Sequence, residues 1–365
     1  MQESDYQSRQ RPHKSASPGL FITELRQRIV FKIAVFYGIT GWIIVQAVTA
    51  ISPAYGDDTA DWWQDYATNT RLVTLPDGKQ LSLLCMGEGT PVVIMEAGLG
   101  FDGMIVMRKV QTAIGQVTRT CSYDRAGIGR SAATDSPRDA GAEADDLAAL
   151  LKAAELPAPY VVFSGSYGGY IAQLFASRHT RDVAGLVLGD PSSAHQYDRF
   201  AVVVPETVQI RESALAEGRE CAVEPRPADL VTTCQPSPPA DMPPELMAQW
   251  LNNHDPAHTS HVVREREAMN ALSSDLLDSE KTNWGAIPFV VLNRDPTRLD
   301  PTLSAADGMA IERVWLQMHL EIMDQSSDSQ LHIVPGAGHP IHIDRPDAVI
   351  NVVTDMVLKI RGRTK

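Results

Sequence analysis

The sequence predicts an α/β protein: a mostly parallel central sheet, helices on both faces, and one long inserted segment. Three observations lead there. From about residue 71 onward, strand-like and helix-like stretches alternate, which is the pattern of a parallel sheet with helical crossovers. The central strand candidates are apolar along their whole length, as strands buried on both faces must be. The alternation then breaks between about 192 and 285 and resumes afterwards.

Taken in order, Arg71–Leu75 and Gln80–Met86 flank Pro76-Asp77-Gly78-Lys79, a β-hairpin turn. Pro91–Glu96 (PVVIME) and Thr118–Tyr123 read as buried strands. Asp139–Leu156 carries Ala and Leu at helical spacing. Tyr160–Phe163, Gly185–Leu188 and Ile287–Leu292 complete the central strands, and Leu331–Val334 adds a late one. The stretch 192–285 is Pro-rich and charged, with helical pieces and no strong strand, and is too long for a plain loop. It reads as an inserted lid or cap over the C-terminal edge of the sheet, where ligands of such folds bind. The core of the fold is therefore expected in 71–191 and 286–365, with 53–70 as a linker.

The N-terminus differs in composition. Residues 1–28 are polar and include Arg9, Arg11, Lys14, Arg26 and Arg28. Within 29–52 an uncharged run, IAVFYGITGWIIVQAVTAI, spans Ile33 to Ile51. Its length is close to the ~20 residues a helix needs to cross a bilayer. Basic residues before it and Asp57, Asp58 and Asp61 after it fit a signal anchor with the following domain on the non-cytoplasmic side. A cleaved signal peptide, with small residues at Val48-Thr49-Ala50, and a buried soluble helix are the other readings. Cys221 and Cys234 bound a loop that a disulfide can close in an exported domain. Cys85 and Cys121 lie in apolar strand sequence and read as small buried hydrophobes.

Length allows one large catalytic domain with an insertion, or two small domains. The net charge of −13, with no basic cluster, excludes a nucleic-acid partner. The ten histidines are scattered without metal-ligand spacing, and Gly98-Leu99-Gly100 lacks the third glycine of a dinucleotide loop. No metal and no cofactor is expected.

The strongest chemical signal is VVFSGSYGGY, Val161–Tyr170, where an apolar strand passes into a helix through a turn of small residues with Ser166 at its apex. A sharp strand–helix turn projects a serine side chain into a site and needs small flanking residues. Ser164 stands where the common G-x-S-x-G pattern has its first glycine.

With this turn in place, residues 71–360 resemble the α/β-hydrolase superfamily. Glu96-Ala97-Gly98-Leu99-Gly100 resembles its oxyanion loop, and Asp124–Ser131 (DRAGIGRS) its D-x-x-G-x-G-x-S turn. Ala184–Pro191 is similar to its sixth strand, and Gly336-Ala337-Gly338-His339 to the late loop carrying the catalytic histidine. The resemblance implies Ser166 as nucleophile, His339 as base, and the backbone N–H groups of Leu99 and Tyr167 as oxyanion donors. His342 and His332 compete for the base; His332 lies inside a strand and reads as packing. For the acid, the usual position after the seventh strand points to Asp295, although the spacing is about two residues short. Asp190, after the sixth strand, is the alternative, with Asp300 a further possibility. Asp124 and Arg125 read as turn-stabilising.

The activity this implies is hydrolysis of a carboxylic ester of small or medium size through an acyl-enzyme, by a membrane-anchored or exported enzyme. A lactonase, amidase or peptidase would use the same residues. A non-catalytic membrane-tethered binding protein is the reading from another class. Epoxide hydrolases and dehalogenases call for Asp where Ser166 stands.

Overall fold

The computed structural model describes residues 60–100, 103–226, 230–234 and 237–363. The basic N-terminal segment and the apolar run lie outside them. Among the described residues, no helix is long and apolar enough to cross a membrane.

Eight strands form one sheet in the order β1-β2-β4-β3-β5-β6-β7-β8. They are β1 (Arg71–Thr74), β2 (Gln80–Met86), β3 (Val92–Glu96), β4 (Thr120–Tyr123), β5 (Tyr160–Gly165), β6 (Val183–Gly189), β7 (Phe289–Asn293) and β8 (Ser329–Ile333). The β1–β2 and β2–β4 pairs are antiparallel, and all others are parallel. The helices are α1 (Ala60–Thr68), α2 (Gly103–Gly115), α3 (Ala140–Ala153), α4 (Gly168–Arg178), α5 (Gln196–Val203), α6 (Thr207–Cys221), α7 (Val231–Cys234), α8 (Met247–Asn252), α9 (Pro256–Met269), α10 (Leu272–Ser279), α11 (Ala305–Met323), α12 (Ile341–Asp344) and α13 (Pro346–Arg363).

The unbroken apolar strands have a simple cause. Successive side chains of a strand point to opposite faces. Ile94, Val162, Leu186 and Val291 enter one core, with Leu147 and Leu151 of α3 and Ile171 and Phe175 of α4. Val93, Met95, Val161, Phe163 and Val187 enter the other, with Met107 and Val110 of α2 and Val353 and Val357 of α13. Both faces are covered, so the central positions of these strands are apolar. Asp139 caps α3, accepting from the N–H groups of Gly141 and Ala142, which fixes where that helix begins.

Between β6 and β7 the described residues form helices α5–α10 and no strand, as the loss of alternation predicts. Two expectations are corrected. The stretch 53–70 is not all linker: α1 buries Trp62, Trp63 and Tyr66 against Leu84, Met104, Met242 and Trp250. The Trp62 indole also donates to Gln111 Oε1 at 2.9 Å. Three aromatic residues in one short amphipathic turn supply the apolar area that anchors it.

The second correction concerns cysteine. Cys85 and Cys121 are not free hydrophobes; they are joined as a disulfide, because the β2–β4 register sets them directly opposite each other. Cys221 and Cys234 form a second bridge, closing the end of α6 onto α7. No described cysteine is free.

Because the Cys85–Cys121 bridge spans 36 residues, its removal relaxes the unfolded chain. The double variant Cys85→Ser/Cys121→Ser is expected to lose about 2–4 kcal/mol in denaturant unfolding. A loss below about 1 kcal/mol would contradict that expectation.

Candidate active site

The turn between β5 and α4 holds Ser166 at φ 51°, a left-handed conformation that costs energy for a residue with a side chain. The conformation lifts the side chain out of the strand line. It requires close backbone packing behind: a Cβ on Gly168 would lie 2.6 Å from the Ala97 carbonyl oxygen. Ser164, at the position of the usual first glycine, is fully buried in β5 and does not crowd the turn.

Ser166 Oγ is 2.7 Å from His339 Nε2, and His339 Nδ1 is 2.6 Å from Asp190 Oδ2. An ionised carboxylate can only accept, so Nδ1 carries the proton and Nε2 is the acceptor for the Ser166 hydroxyl. That is the tautomer a proton-accepting imidazole needs. The His339 side chain is 42% exposed while Asp190 is fully buried, so the imidazole faces solvent on one side and a fixed charge on the other.

Asp190, also at positive φ (47°), immediately follows β6 and turns its carboxylate back under the imidazole. Burial alone would raise its carboxyl. The hydrogen bond from His339 and the charge of Arg294 outweigh that and hold it well below the ordinary carboxylate range.

Asp295, expected as the acid, is not beside the imidazole. Its Oδ1 accepts from the N–H and hydroxyl of Thr297, and its Oδ2 from the N–H of Gly336. The physical reason is reach. β7 ends at Asn293, and the chain is already turning two residues later, so Asp295 braces the 336–339 loop from outside. Asp300 is engaged with Thr302. Of the competing bases, His342 is buried beneath the turn beside Phe163 and held down to about 4 by burial and by the nearby His339 charge. His332 lies in β8 and is also lowered by burial.

Leu99 follows β3 in a half-buried turn, and Tyr167 is the N-cap of α4, so its backbone stands at a positive helix end. Both are tied to Arg125. Its Nη1 donates to the Ala97 carbonyl and its Nη2 to the Gly98 carbonyl, each at 2.9 Å, and its guanidinium lies 5.5 Å from the Tyr167 ring centroid. The same group pairs with Glu96 and, from insertion helix α9, with Glu265, each at 2.8 Å. Asp124 is the turn stabiliser: it accepts from Ser82 Oγ and from the N–H groups of Met104 and Arg130. Helix α9 also lays the His261 ring on Gly127, where any Cβ would clash at 2.3 Å.

Three contributors escape a reading of the sequence. Arg294 and Trp315 both donate to Asp190, and Glu312 holds the far side of the Arg294 guanidinium. Their one local signal is that Glu312, Trp315 and His319 share a face of α11 at helical spacing. Among the described residues, no group of His, Cys, Asp and Glu is arranged to hold a metal ion.

The sequence matches the profile of the alpha/beta hydrolase family over residues 97–352, which is more than half of the chain. The chain belongs to the alpha/beta hydrolase family. Among curated relatives, this hydrolase is 25% identical over 274 residues to the uncharacterized protein YqjL of Bacillus subtilis, covering 74% of this chain and 85% of that one. It is 23% identical over 292 residues to the proline iminopeptidase PfmaB of Pestalotiopsis fici, covering 76% and 95%. Among solved structures, a thermophilic esterase from Thermogutta terrifontis superposes with a TM-score of 0.51 at 21% identity, covering 80% and 98%. At that identity the likeness shows the fold.

The buried insertion histidines are expected to make stability depend on pH. His258 is depressed to about 4, first by burial and then by the His254 charge, and its Nδ1 has no hydrogen-bond partner among the described residues. A folded-state value below the unfolded ~6.5 means its contribution is complete above pH 6.5 and is lost as pH falls toward 4. His258→Leu is therefore expected to make the fall in unfolding free energy from pH 7 to pH 5 shallower by about 2 kcal/mol. An unchanged slope would show that His258 is solvated in the folded state.

Proposed function

We propose that this alpha/beta hydrolase cleaves carboxylic esters of small or medium size through an acyl-enzyme. Ser166 is the nucleophile, His339 the base, Asp190 the acid, and the backbone N–H groups of Leu99 and Tyr167 the oxyanion donors. The observation that carries the reading is the continuous hydrogen-bonded chain from Ser166 Oγ through His339 to a buried, ionised Asp190.

The steps follow from that geometry. Ser166 attacks the ester carbonyl as Nε2 takes its proton, and Asp190 offsets the imidazolium charge. The developing oxyanion is stabilised by the two backbone N–H groups. The tetrahedral intermediate collapses, His339 protonates the departing alcohol, and a water activated by His339 then releases the acid. Peptidase or amidase action is the second reading. It is favoured by the iminopeptidase relative and differs only in protonation of an amine instead of an alkoxide. Ser166, in place of a carboxylate nucleophile, speaks against epoxide opening.

We also place the catalytic domain on the non-cytoplasmic side of a membrane, tethered or released by the segment 29–52. Support comes from the uncharged run Ile33–Ile51 and from two disulfides, which persist in oxidising compartments. Removing residues 1–52 is expected to turn a membrane-associated protein into a soluble active one. Full-length protein found wholly in the soluble fraction at its original mass would sink the tether.

Fluorophosphonate labelling, with a panel of ester, lactone and amide substrates, tests the chemistry. Ser166→Ala is expected to abolish labelling and lower turnover by several orders of magnitude while retaining the fold. Asp190→Asn is expected to lose about 10⁴ in turnover, the size seen when the acid of a serine-protease triad becomes an amide. Asp295→Asn should lose about tenfold or less, through loosening of the 336–339 loop. The reverse order of severity would move the acid to Asp295.

A further inference from the structure

We propose that Arg294 is a positioning residue that sets the lower pH limit of catalysis, by sharing the Asp190 carboxylate with His339 and partly cancelling its charge. The proposal rests on the serine-hydrolase reading above.

Asp190 receives four donors on its two oxygens. Oδ1 accepts from the Arg294 backbone N–H at 3.1 Å and from the Trp315 indole at 2.8 Å. Oδ2 accepts from His339 Nδ1 at 2.6 Å and from Arg294 Nη1 at 2.9 Å. One oxygen thus serves the imidazole and a full positive charge together. The guanidinium lies 4.6 Å from the Trp315 ring centroid, and that ring is 5.8 Å from the His339 ring. Two further N–H groups go to Glu312 Oε1, from Nε at 3.0 Å and Nη2 at 2.7 Å. The cation is therefore held on three sides and cannot swing away without breaking a buried pair.

Neutral donors already orient the carboxylate: the Arg294 backbone N–H and the Trp315 indole fix Oδ1. The additional guanidinium changes charge more than direction. During attack a positive charge appears on His339, one carboxylate away from Arg294, and the two cations repel. The imidazolium gains less from Asp190 than it would from an unshared carboxylate. The cost is some transition-state stabilisation. The gain, on this proposal, is activity that persists into more acidic solution.

The charged and titratable groups facing Asp190 agree with this account. Arg294 comes from the end of β7, His339 from the 336–339 loop, and Glu312 and His319 from α11; His342 of α12, beside His339, is lowered to about 4 by burial and adds no charge at neutral pH. His319 is buried between the Asn293 side chain and the Pro191 carbonyl and lowered to about 4 by burial, so it adds no charge at neutral pH. Glu312 is raised by burial and reaches Asp190 through Arg294. Arg294 is the cation left in direct contact.

The test uses the full-length protein and the second-order rate of Ser166 labelling by a fluorophosphonate, from about pH 4 to pH 9. This readout needs no knowledge of the substrate. Arg294→Met is expected to move the pH of half-maximal labelling upward by about one unit. Because it strands Glu312, the double variant Arg294→Gln/Glu312→Gln, whose amides can bond each other, guards against loss of fold; the same upward shift is expected. Arg294→Lys, which keeps the charge, should stay within about 0.3 unit of the parent while its plateau rate falls severalfold. A folded double variant slowed by one factor at every pH, with its midpoint unmoved, overturns the proposal. So does a shift in Arg294→Lys as large as in Arg294→Met. Failure of the parent protein to label, or labelling that survives Ser166→Ala, instead overturns the serine-hydrolase reading and this inference with it.

Discussion

A guanidinium with almost no access to water has to be surrounded by acceptors, and Arg125 meets that demand by gathering parts of the chain that share no sequence neighbourhood. Removing one member of such a buried arrangement is costly, about 3–5 kcal/mol, because it leaves a charge uncompensated in a low-dielectric interior. Arg125 takes the carbonyls of Ala97 and Gly98, the carboxylates of Glu96 and Glu265, and the face of Tyr167. The two backbone segments proposed to receive the oxyanion are therefore positioned by one side chain. The insertion is fixed to the same side chain through α9. Turn, loop and insertion cannot shift independently while that pairing holds.

The site shows the same economy at its other end. Ser166 and Asp190 both sit at positive φ, immediately after adjacent parallel strands. Parallel neighbours deliver their C-terminal ends to one edge of the sheet, so two strained residues arrive side by side and the late loop has only to bring His339 between them. Strain at those positions is tolerated because both are locked from behind, Ser166 by Gly168 against β3 and Asp190 by its four donors.

This arrangement explains what the sequence revealed and what it withheld. Strands β3, β5, β6 and β7 were legible because burial on two faces leaves a plain mark, an apolar run of strand length. The turn at Ser166 was legible because tight backbone packing demands small residues in a fixed local order. Asp190 over Asp295 was not, because the choice depends on which way the chain turns after a strand ends, and both candidates follow a strand. Cys85 and Cys121 were read as packing because their pairing depends on the register of β2 with β4, strands separated by β3 and α2. Arg294 and Trp315 join the site from different elements, and neither carries a motif. Helix α1 was hidden by its shortness and its polar surroundings; only its aromatic cluster, which needs a partner surface to mean anything, marks it.

The bridge between β2 and β4 has a topological effect beyond its energy. The chain from Cys85 to Cys121 becomes a closed covalent ring, and that ring holds β3, the turn with Leu99 and helix α2. The carbonyls gripped by Arg125 lie inside it, and Arg125 itself follows four residues beyond it. When the edge of the sheet opens in a native-state fluctuation, this segment can loosen, but its two ends stay joined at the bridge. The most exacting part of the site thus stays tethered to itself through every partial opening.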